Sequence, residues 1–163
     1  VHDKVGDVTM IDPASERLRR SGLRVTEPRL AVLTVVDAHP HSDADAIQRI
    51  LNAAHENISV QSVHNVLRDL TSNGIIRRIE PSDSAALYES RVGDNHHHIV
   101  CRGCNAIADV ECVAGHAPCL EPSDAAGFAI DLAEVVFWGF CSDCQARGTR
   151  ATDPIESPRR NYE

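Results

Sequence analysis

The chain has 163 residues, of which 42% are hydrophobic and 25% are charged, values that are typical of a soluble globular protein. This length allows one large domain or two small ones, each with its own core. No apolar run is long enough to cross a bilayer, and no basic stretch precedes an apolar one near the N-terminus. We therefore expect a cytoplasmic protein with no membrane partner. The net charge of −8 argues against a nucleic-acid partner for the chain as a whole.

The N-terminal region departs from this acidic average. Residues 1–13 show no periodicity and are predicted to be a flexible tail. Residues 14–30 then contain five arginines against two glutamates, a local charge of +3. An acidic protein can still offer such a basic edge to phosphates, because binding responds to the local field rather than to the total charge.

The first half of the chain predicts short helices followed by a hairpin. Apolar residues recur at helical spacing after Pro13, after Thr26, after Asp43 and after Ser59. Asp43 is the expected N-cap of the third helix, and Gly74 the expected stop of the fourth. Two short strands, 75–79 and 86–88, flank the turn 81–84. Several short helices followed by a hairpin are typical of a winged helix, a helix-turn-helix variant.

The fourth helix leaves a row of polar side chains pointing away from its apolar stripe: Gln61, His64, Asn65 and Arg68. Such side chains suit base edges and phosphates in a DNA major groove. A solvated helix face explains the same pattern equally well. The hairpin that follows favours the DNA-binding interpretation, because the last helix of a winged helix enters the groove.

Residues 91–94 are predicted to form a hinge, and three strand-like segments follow at 99–100, 106–110 and 134–140. Two Cys-x-x-Cys pairs, Cys101 with Cys104 and Cys141 with Cys144, lie at strand ends. Four thiolates complete a closed tetrahedral Zn²⁺ site. Two local disulfides or a thiol redox pair are the alternatives.

A second group of metal-ligand residues overlaps the first cysteine pair. His96 and His98 alternate along one strand, so their rings leave the same face, and Asp109 lies on the strand expected to pair with it. Two imidazoles with carboxylates suit Fe²⁺, Mn²⁺ or Zn²⁺. A polar histidine run on a solvated strand is the alternative. His41 and Glu89 are candidate completing ligands from the first half of the chain.

Four stretches of the sequence resemble the ferric uptake regulator family in order and spacing. They are Gly22–Arg29, Ser62–Leu70, the block His96-His97-His98-Ile99-Val100-Cys101-x-x-Cys104, and Cys141-x-x-Cys144. The segment Tyr88–Asn95, together with that block, is most similar to the actinobacterial, redox-responsive branch, whose genes lie beside those of catalase-peroxidases. An aspartate at the position of Asp109 is typical of the peroxide-sensing members.

The resemblance implies an α+β protein with an N-terminal winged-helix DNA-binding domain and a C-terminal α/β dimerisation domain. That second domain would contain a small antiparallel sheet and a four-cysteine zinc site. The implied boundaries are a tail at 1–13, the DNA-binding domain at 14–90, a hinge at 91–94, the dimerisation and metal-binding domain at 95–145, and a tail at 146–163.

The resemblance also assigns roles to individual residues. Structural zinc would bind Cys101, Cys104, Cys141 and Cys144. A regulatory Fe²⁺ or Mn²⁺, with Zn²⁺ as a substitute, would bind His41, Glu89, His96, His98 and Asp109. Arg24 matches the basic residue that reaches the minor groove in relatives, beside the major-groove row Gln61, His64, Asn65 and Arg68.

These implications predict a homodimeric, metal-dependent repressor that binds a pseudo-palindromic DNA operator. Peroxide would be the signal, and catalase-peroxidase-type defence genes the targets. Three other functions remain open: a repressor that senses iron or zinc supply, a zinc–thiolate redox switch, and a metal-dependent hydrolase that uses the His–Asp site. No carboxylate pair or nucleophile–base arrangement supports an enzyme.

Overall fold

The computed structural model describes residues 13–54, 56–81, 85–94, 96–113, 120, 122–130 and 133–148. The chain divides into two compact units, Val1–Gly93 and Asp94–Glu163. Several parts of the predicted organisation lie outside the described residues: residues 1–12 of the first tail, 149–163 of the second, and the hairpin-turn residues 82–84. The first helix begins at Pro13, as its apolar spacing predicts, so the predicted tail 1–13 is one residue too long.

The first unit contains four helices and a three-stranded sheet. In chain order they are α1 (Pro13–Arg20), α2 (Glu27–Ala38), β1 (Ser42–Asp43), α3 (Ala44–Ala53), α4 (Val60–Ser72), β2 (Arg77–Ile79) and β3 (Leu87–Glu89). The strands are antiparallel and lie in the order β1-β3-β2. The predicted hairpin is therefore present as β2 and β3, directly after the helix with the polar row.

Side-chain caps explain where two of these helices begin. Asp43 Oδ1 accepts a hydrogen bond from the Ala46 backbone N–H at 2.6 Å, and Ser59 Oγ accepts one from the Ser62 N–H at 3.2 Å. Each cap satisfies a backbone donor that the helix itself leaves without a partner. Gly74, with φ +64°, follows the end of α4 in the left-handed conformation that glycine adopts without strain.

The core of the first unit comes from the apolar stripes of its helices. Leu18, Leu33, Ile47, Leu67 and Leu70 are at most 1% exposed, and Val32, Val36, Leu51 and Val63 surround them. Residues spaced by three or four positions along a helix share one face, so each helix turns one stripe inward. This packing buries the apolar face of α4 and leaves its polar row on the outside.

The strand β1 was not predicted from the sequence, where residues 39–43 read as a connection. Ser42 pairs with Tyr88, and the His41 backbone N–H donates to the Tyr88 carbonyl at 2.8 Å. His41 itself has φ +61°, a left-handed conformation that is uncommon for a residue with a Cβ. The short pairing therefore holds His41 beside the end of β3.

The second unit contains β4 (His96–Cys101), β5 (Ile107–Glu111), β6 (Val136–Gly139) and the short helix α5 (Ser142–Ala146). The strand order is β5-β4-β6. The predicted small sheet is present and its β4–β5 pair is antiparallel, whereas β6 joins β4 in parallel. In the described residues of both units, none of the helices combines the length and apolar character of a membrane span.

Candidate functional site

Four cysteine thiols of the second unit converge on one point. The Sγ atoms of Cys101, Cys104, Cys141 and Cys144 all lie within 4.8 Å of one another. Cys104 Sγ and Cys141 Sγ are 3.6 Å apart, too far for a disulfide, whose S–S length is about 2.05 Å. None of the five cysteines in the described part of the chain forms a disulfide, so the predicted alternative of two local disulfides is not present.

Two turns bring the cysteine pairs together. Cys101 ends β4, and its carbonyl accepts the Asn105 N–H, which folds the chain back before β5 begins. Cys141 is the N-cap residue of α5, and Cys144 lies one turn later in that helix. The Cys141 backbone N–H donates to Cys101 Sγ at 3.2 Å, so the two turns are joined at the sulfur cluster.

The pKa values of two thiols are displaced in opposite directions. The pKa of Cys101 is lowered to about 6, chiefly because the Cys141 N–H donates to its sulfur and stabilises the thiolate. Burial raises the pKa of Cys144 to about 12, and the neighbouring cysteines add to that effect. The metal-free cluster therefore holds a thiolate beside a protonated thiol, a pair that a divalent cation would convert to two thiolates.

Gly103 allows the two turns to approach closely. A Cβ at this position would lie 2.9 Å from Cys144 Sγ, a distance that real Cβ atoms essentially never show, and 3.3 Å from Cys144 Cβ, which is tighter than most such contacts. A glycine between two metal-ligand cysteines is thus needed for space. The glycine is visible in the sequence, but the reason for it is visible only in the structure, where Cys144 of α5 packs against this turn.

The donor set fits a structural zinc ion. A tetrahedral Zn²⁺ with Zn–S bonds of about 2.3 Å separates its sulfurs by about 3.8 Å, close to the Cys104–Cys141 distance of 3.6 Å. Four thiols leave no coordination position open for water or substrate, which is typical of a structural rather than a catalytic site.

In the first unit, His41 and Glu89 form a partly shielded pair. His41 Nε2 lies 3.0 Å from Glu89 Oε2, and the Glu89 side chain is only 1% exposed. The other carboxylate oxygen of Glu89 lies 4.0 Å from Arg77 Nη1 on the paired strand β2. An imidazole and a buried carboxylate that face each other are ligands that Fe²⁺, Mn²⁺ and Zn²⁺ all accept.

In the second unit, the predicted cross-strand pairing is confirmed. His98 lies directly opposite Asp109 in the β4–β5 register, with His98 Nε2 3.6 Å from Asp109 Oδ1. The rings of His96 and His98 are 4.9 Å apart, and Asp94 Oδ1 lies 2.7 Å from His96 Nδ1. Both imidazoles are buried, so the alternative of a solvated histidine run does not hold. A carboxylate that orients an imidazole ring is a common outer-shell feature of metal sites.

The polar row of α4 is organised around one amide. Asn65 Oδ1 accepts hydrogen bonds from Gln61 Nε2 and from Arg68 Nη2, each at 3.2 Å. Gln61, His64 and Arg68 are exposed, as is Arg24 in the loop between α1 and α2. Three members of the row are therefore connected by hydrogen bonds, and His64 is exposed beside them.

The chain was compared with known proteins. The profile of the Ferric uptake regulator family matches residues 20–133. Transcriptional regulator FurA of Mycobacterium tuberculosis is 52% identical over 147 residues, which cover 90% of this chain and 100% of FurA. Ferric uptake regulation protein 1 of Mycolicibacterium fortuitum is 51% identical over 136 residues, covering 83% of each chain. The solved structure of the ferric uptake regulator from Francisella tularensis with iron superposes with a TM-score of 0.61 at 24% identity, covering 76% of this chain and 96% of that one.

The fold, the thiol cluster and the similarity over most of the chain agree with one another. The relatives are regulators of transcription and not enzymes, which removes the hydrolase hypothesis. This chain therefore belongs to the ferric uptake regulator family of metal-dependent transcriptional regulators.

Proposed function

We propose that the chain is a homodimeric repressor that binds a pseudo-palindromic operator only while a regulatory divalent metal is bound. The ligands would be His41 and Glu89 of the first unit with His96, His98 and Asp109 of the second. The observation that carries this proposal is that each unit contains an imidazole and a carboxylate that face each other and are largely shielded from water. Glu89 faces His41 at 3.0 Å, and His98, with no exposed side-chain surface, faces Asp109 at 3.6 Å.

Buried donors of this kind favour a ligand over a structural role. Moving a carboxylate out of water is costly unless a positive partner compensates for it. A bound divalent cation would compensate the carboxylates and both imidazoles at once. Fe²⁺ or Mn²⁺ accepts mixed nitrogen and oxygen ligands, whereas a structural Zn²⁺ is better served by the four thiols.

The regulatory effect follows from linkage. A metal whose ligands come from two units stabilises the relative orientation in which all of them reach it, in proportion to its differential affinity. Moving a two-state equilibrium from 1:99 to 99:1 requires about 5.5 kcal/mol of that difference. Two α4 helices of a dimer, held in that orientation, would enter major grooves about one helical turn apart.

Peroxide is the proposed signal. The similarity of residues 88–104 to the redox-responsive branch and the aspartate at position 109 support it. Bound Fe²⁺ would supply the electron that cleaves peroxide. His41 and His96, as ligands, are the side chains on which the resulting oxidation is expected. Oxidised imidazoles bind metal poorly, so the operator would be released and the defence genes expressed.

The test combines DNA binding with mass spectrometry. Protein purified without oxygen and loaded with Fe²⁺ is bound to DNA and treated with peroxide, with Mn²⁺-loaded protein as the control. We expect release of DNA and added oxygen on His41 or His96 only with Fe²⁺. Release without added oxygen on any of these histidines would refute the proposed route.

A repressor that senses iron supply is the second candidate, and the names of the Mycolicibacterium relatives favour it. It uses the same ligands, but the signal is loss of metal rather than oxidation. This candidate predicts that a chelator releases the DNA, whereas peroxide does not. A thiol switch at the four-cysteine cluster would instead release zinc, together with loss of free thiols.

A further inference from the structure

One arginine joins two DNA-facing elements of the first unit. Arg29, in the first turn of α2, donates from Nη1 to the carbonyl oxygen of Arg24 at 3.0 Å. Its other terminal nitrogen, Nη2, donates to Asp69 Oδ2 on α4 at 2.9 Å. The Arg29 guanidinium group thus links the loop that carries Arg24 to the helix that carries the polar row, in addition to the packing of Leu23 and Val25 on the core.

The chemistry of this bridge depends on arginine. The Arg29 side chain is 20% exposed and that of Asp69 is 39% exposed, so water only partly screens the ion pair. A planar guanidinium presents its N–H groups in a fixed fork, whereas a lysine ammonium is a point donor on a flexible stem. Arginine can therefore donate to a backbone carbonyl and to a carboxylate at the same time, which fixes the distance and direction between these two acceptors.

The two bridged elements have different predicted roles in DNA binding. Arg24 is exposed and matches a minor-groove residue, while Arg68, the neighbour of Asp69, belongs to the major-groove row of α4. A free loop would lose conformational entropy each time Arg24 entered the groove. A loop already held against α4 loses less.

We propose that Arg29 is a positioning residue for DNA recognition, which sets the distance between Arg24 and the α4 row so that minor-groove and major-groove contacts form together. This inference rests on the proposed DNA-binding function. It predicts that the energetic contribution of Arg24 depends on Arg29 and on Asp69, although neither of the latter needs to touch a base.

The first unit also provides a matched control. Arg17 on α1 makes the same kind of bridge, donating to Asp37 Oδ1 at 2.8 Å and to the Ile75 carbonyl oxygen at 3.0 Å. Neither of these partners is predicted to contact DNA. R17Q and R29Q remove one positive charge and one carboxylate–carbonyl bridge each, so we expect them to have comparable effects on long-range electrostatics and on folding stability.

The wild-type protein is first loaded with Zn²⁺ and Mn²⁺. It is then used to select a DNA duplex from a randomised pool, and this duplex is the probe. Each A·T pair of that duplex is replaced in turn by a G·C pair and by an inosine·cytosine pair, and the dissociation constants of the two substituted duplexes are compared. These two pairs differ only by the 2-amino group in the minor groove, so the ratio of their dissociation constants reports minor-groove recognition. We expect a preference of about 5-fold or more for inosine at the position that Arg24 reaches.

R24A should abolish that preference, and R29Q and D69N should reduce it nearly as far. The double variant R24A/R29Q should lose no more than R24A alone, while R17Q should retain the wild-type ratio. R29K should fail to restore the preference, because it keeps the charge without the fork. Melting temperatures measured in parallel should be lowered similarly by R17Q and R29Q.

Among the variants, three results would overturn the inference: an undiminished preference in R29Q, independent and additive losses from R24A and R29Q, or full recovery in R29K, which would indicate a direct phosphate contact. An absence of any inosine preference in the wild type would also overturn it, while leaving metal-dependent operator binding intact. If the pool yields no metal-dependent consensus, the proposed function itself fails, and this inference with it.

Discussion

His41 Nε2 and Glu89 Oε2 face each other across 3.0 Å, and the glutamate is held almost entirely out of water at the end of β3. The backbone bond between the His41 N–H and the Tyr88 carbonyl holds the imidazole there, in a left-handed conformation. Strained backbone of this kind persists only where the surrounding structure enforces it. The pair is therefore prearranged within the first unit.

Replacing Glu89 with glutamine should remove the regulatory metal and leave the structural one. The amide is a weaker, neutral ligand, so we expect Mn²⁺ affinity to fall by about 10- to 100-fold or more, since even outer-shell changes cost that much. Mn²⁺ binding followed by electron paramagnetic resonance measures the loss, and zinc content should stay unchanged. E80Q is the control, because Glu80 is exposed on the same hairpin. Unaltered Mn²⁺ affinity in E89Q would remove Glu89 from the ligand set.

Zinc affinity should fall as the solution becomes more acidic. Metal binding requires thiolates, and in the metal-free cluster Cys144, with a pKa of about 12, keeps its proton at neutral pH. Below the Cys101 pKa of about 6, that thiol is protonated as well, so zinc must displace one more proton and its affinity falls more steeply with decreasing pH. Competition with a chromophoric chelator across this range measures the slope; a pH-independent affinity would contradict the prediction.

The substitution C144S should weaken zinc binding by more than the roughly 10- to 100-fold that loss of an outer-shell partner causes, because it removes a ligand outright. C112S is the matched control, since Cys112 forms no disulfide and lies outside the cluster. Zinc content after dialysis against a chelator distinguishes the two variants. Equal retention in both would mean that the four thiols do not act as one site.

Adding one methyl group at Gly103 should disturb the same cluster without touching a ligand. The new Cβ would meet Cys144 Sγ at 2.9 Å, so the turn and α5 must separate. We expect G103A to lose zinc faster to a chelator and to lower the melting temperature of the zinc-loaded protein by several degrees, for a cost of about 1–3 kcal/mol. Gly139, whose Cβ would meet nothing within 4 Å, provides the control variant G139A.

Asn65 should govern the base preference of α4. Its amide oxygen accepts from both Gln61 and Arg68, so N65A releases two side chains from fixed positions. We expect a loss of about 1–3 kcal/mol of sequence discrimination, with weak, non-specific DNA binding largely retained. Selection of duplexes from a randomised pool by the two proteins tests this. An unchanged consensus would mean that the row does not read bases.

Much of this organisation could be predicted from local sequence. The apolar spacing from Val63 to Leu70 and the cap at Ser59 define α4 and turn its polar row outward. The two Cys-x-x-Cys pairs predict the sulfur cluster, because three positions along the chain already bring the two thiols of each pair close together. The alternation of His96 and His98 likewise predicts their shared face and the pairing with Asp109.

Features that depend on distant contacts could not be predicted. The strand β1 is only two residues long and exists because β3 offers it an edge. The parallel addition of β6 carries no periodic signal that distinguishes it from an antiparallel strand. The roles of Arg29, Arg77 and Gly103 depend on partners that are 40, 12 and 41 positions away in the sequence.

The six-residue strand β4 begins at His96 and ends at Cys101, so one short strand carries a member of the imidazole group at one end and a thiol of the four-cysteine cluster at the other. The Cys141 backbone N–H donates to Cys101 Sγ at the second end, and the register of the strand places His98 opposite Asp109. A change at the thiol cluster that shifts β4 along its own axis would therefore shift both imidazoles by the same amount. The two groups of side chains share one piece of backbone, and neither can be repositioned without the other.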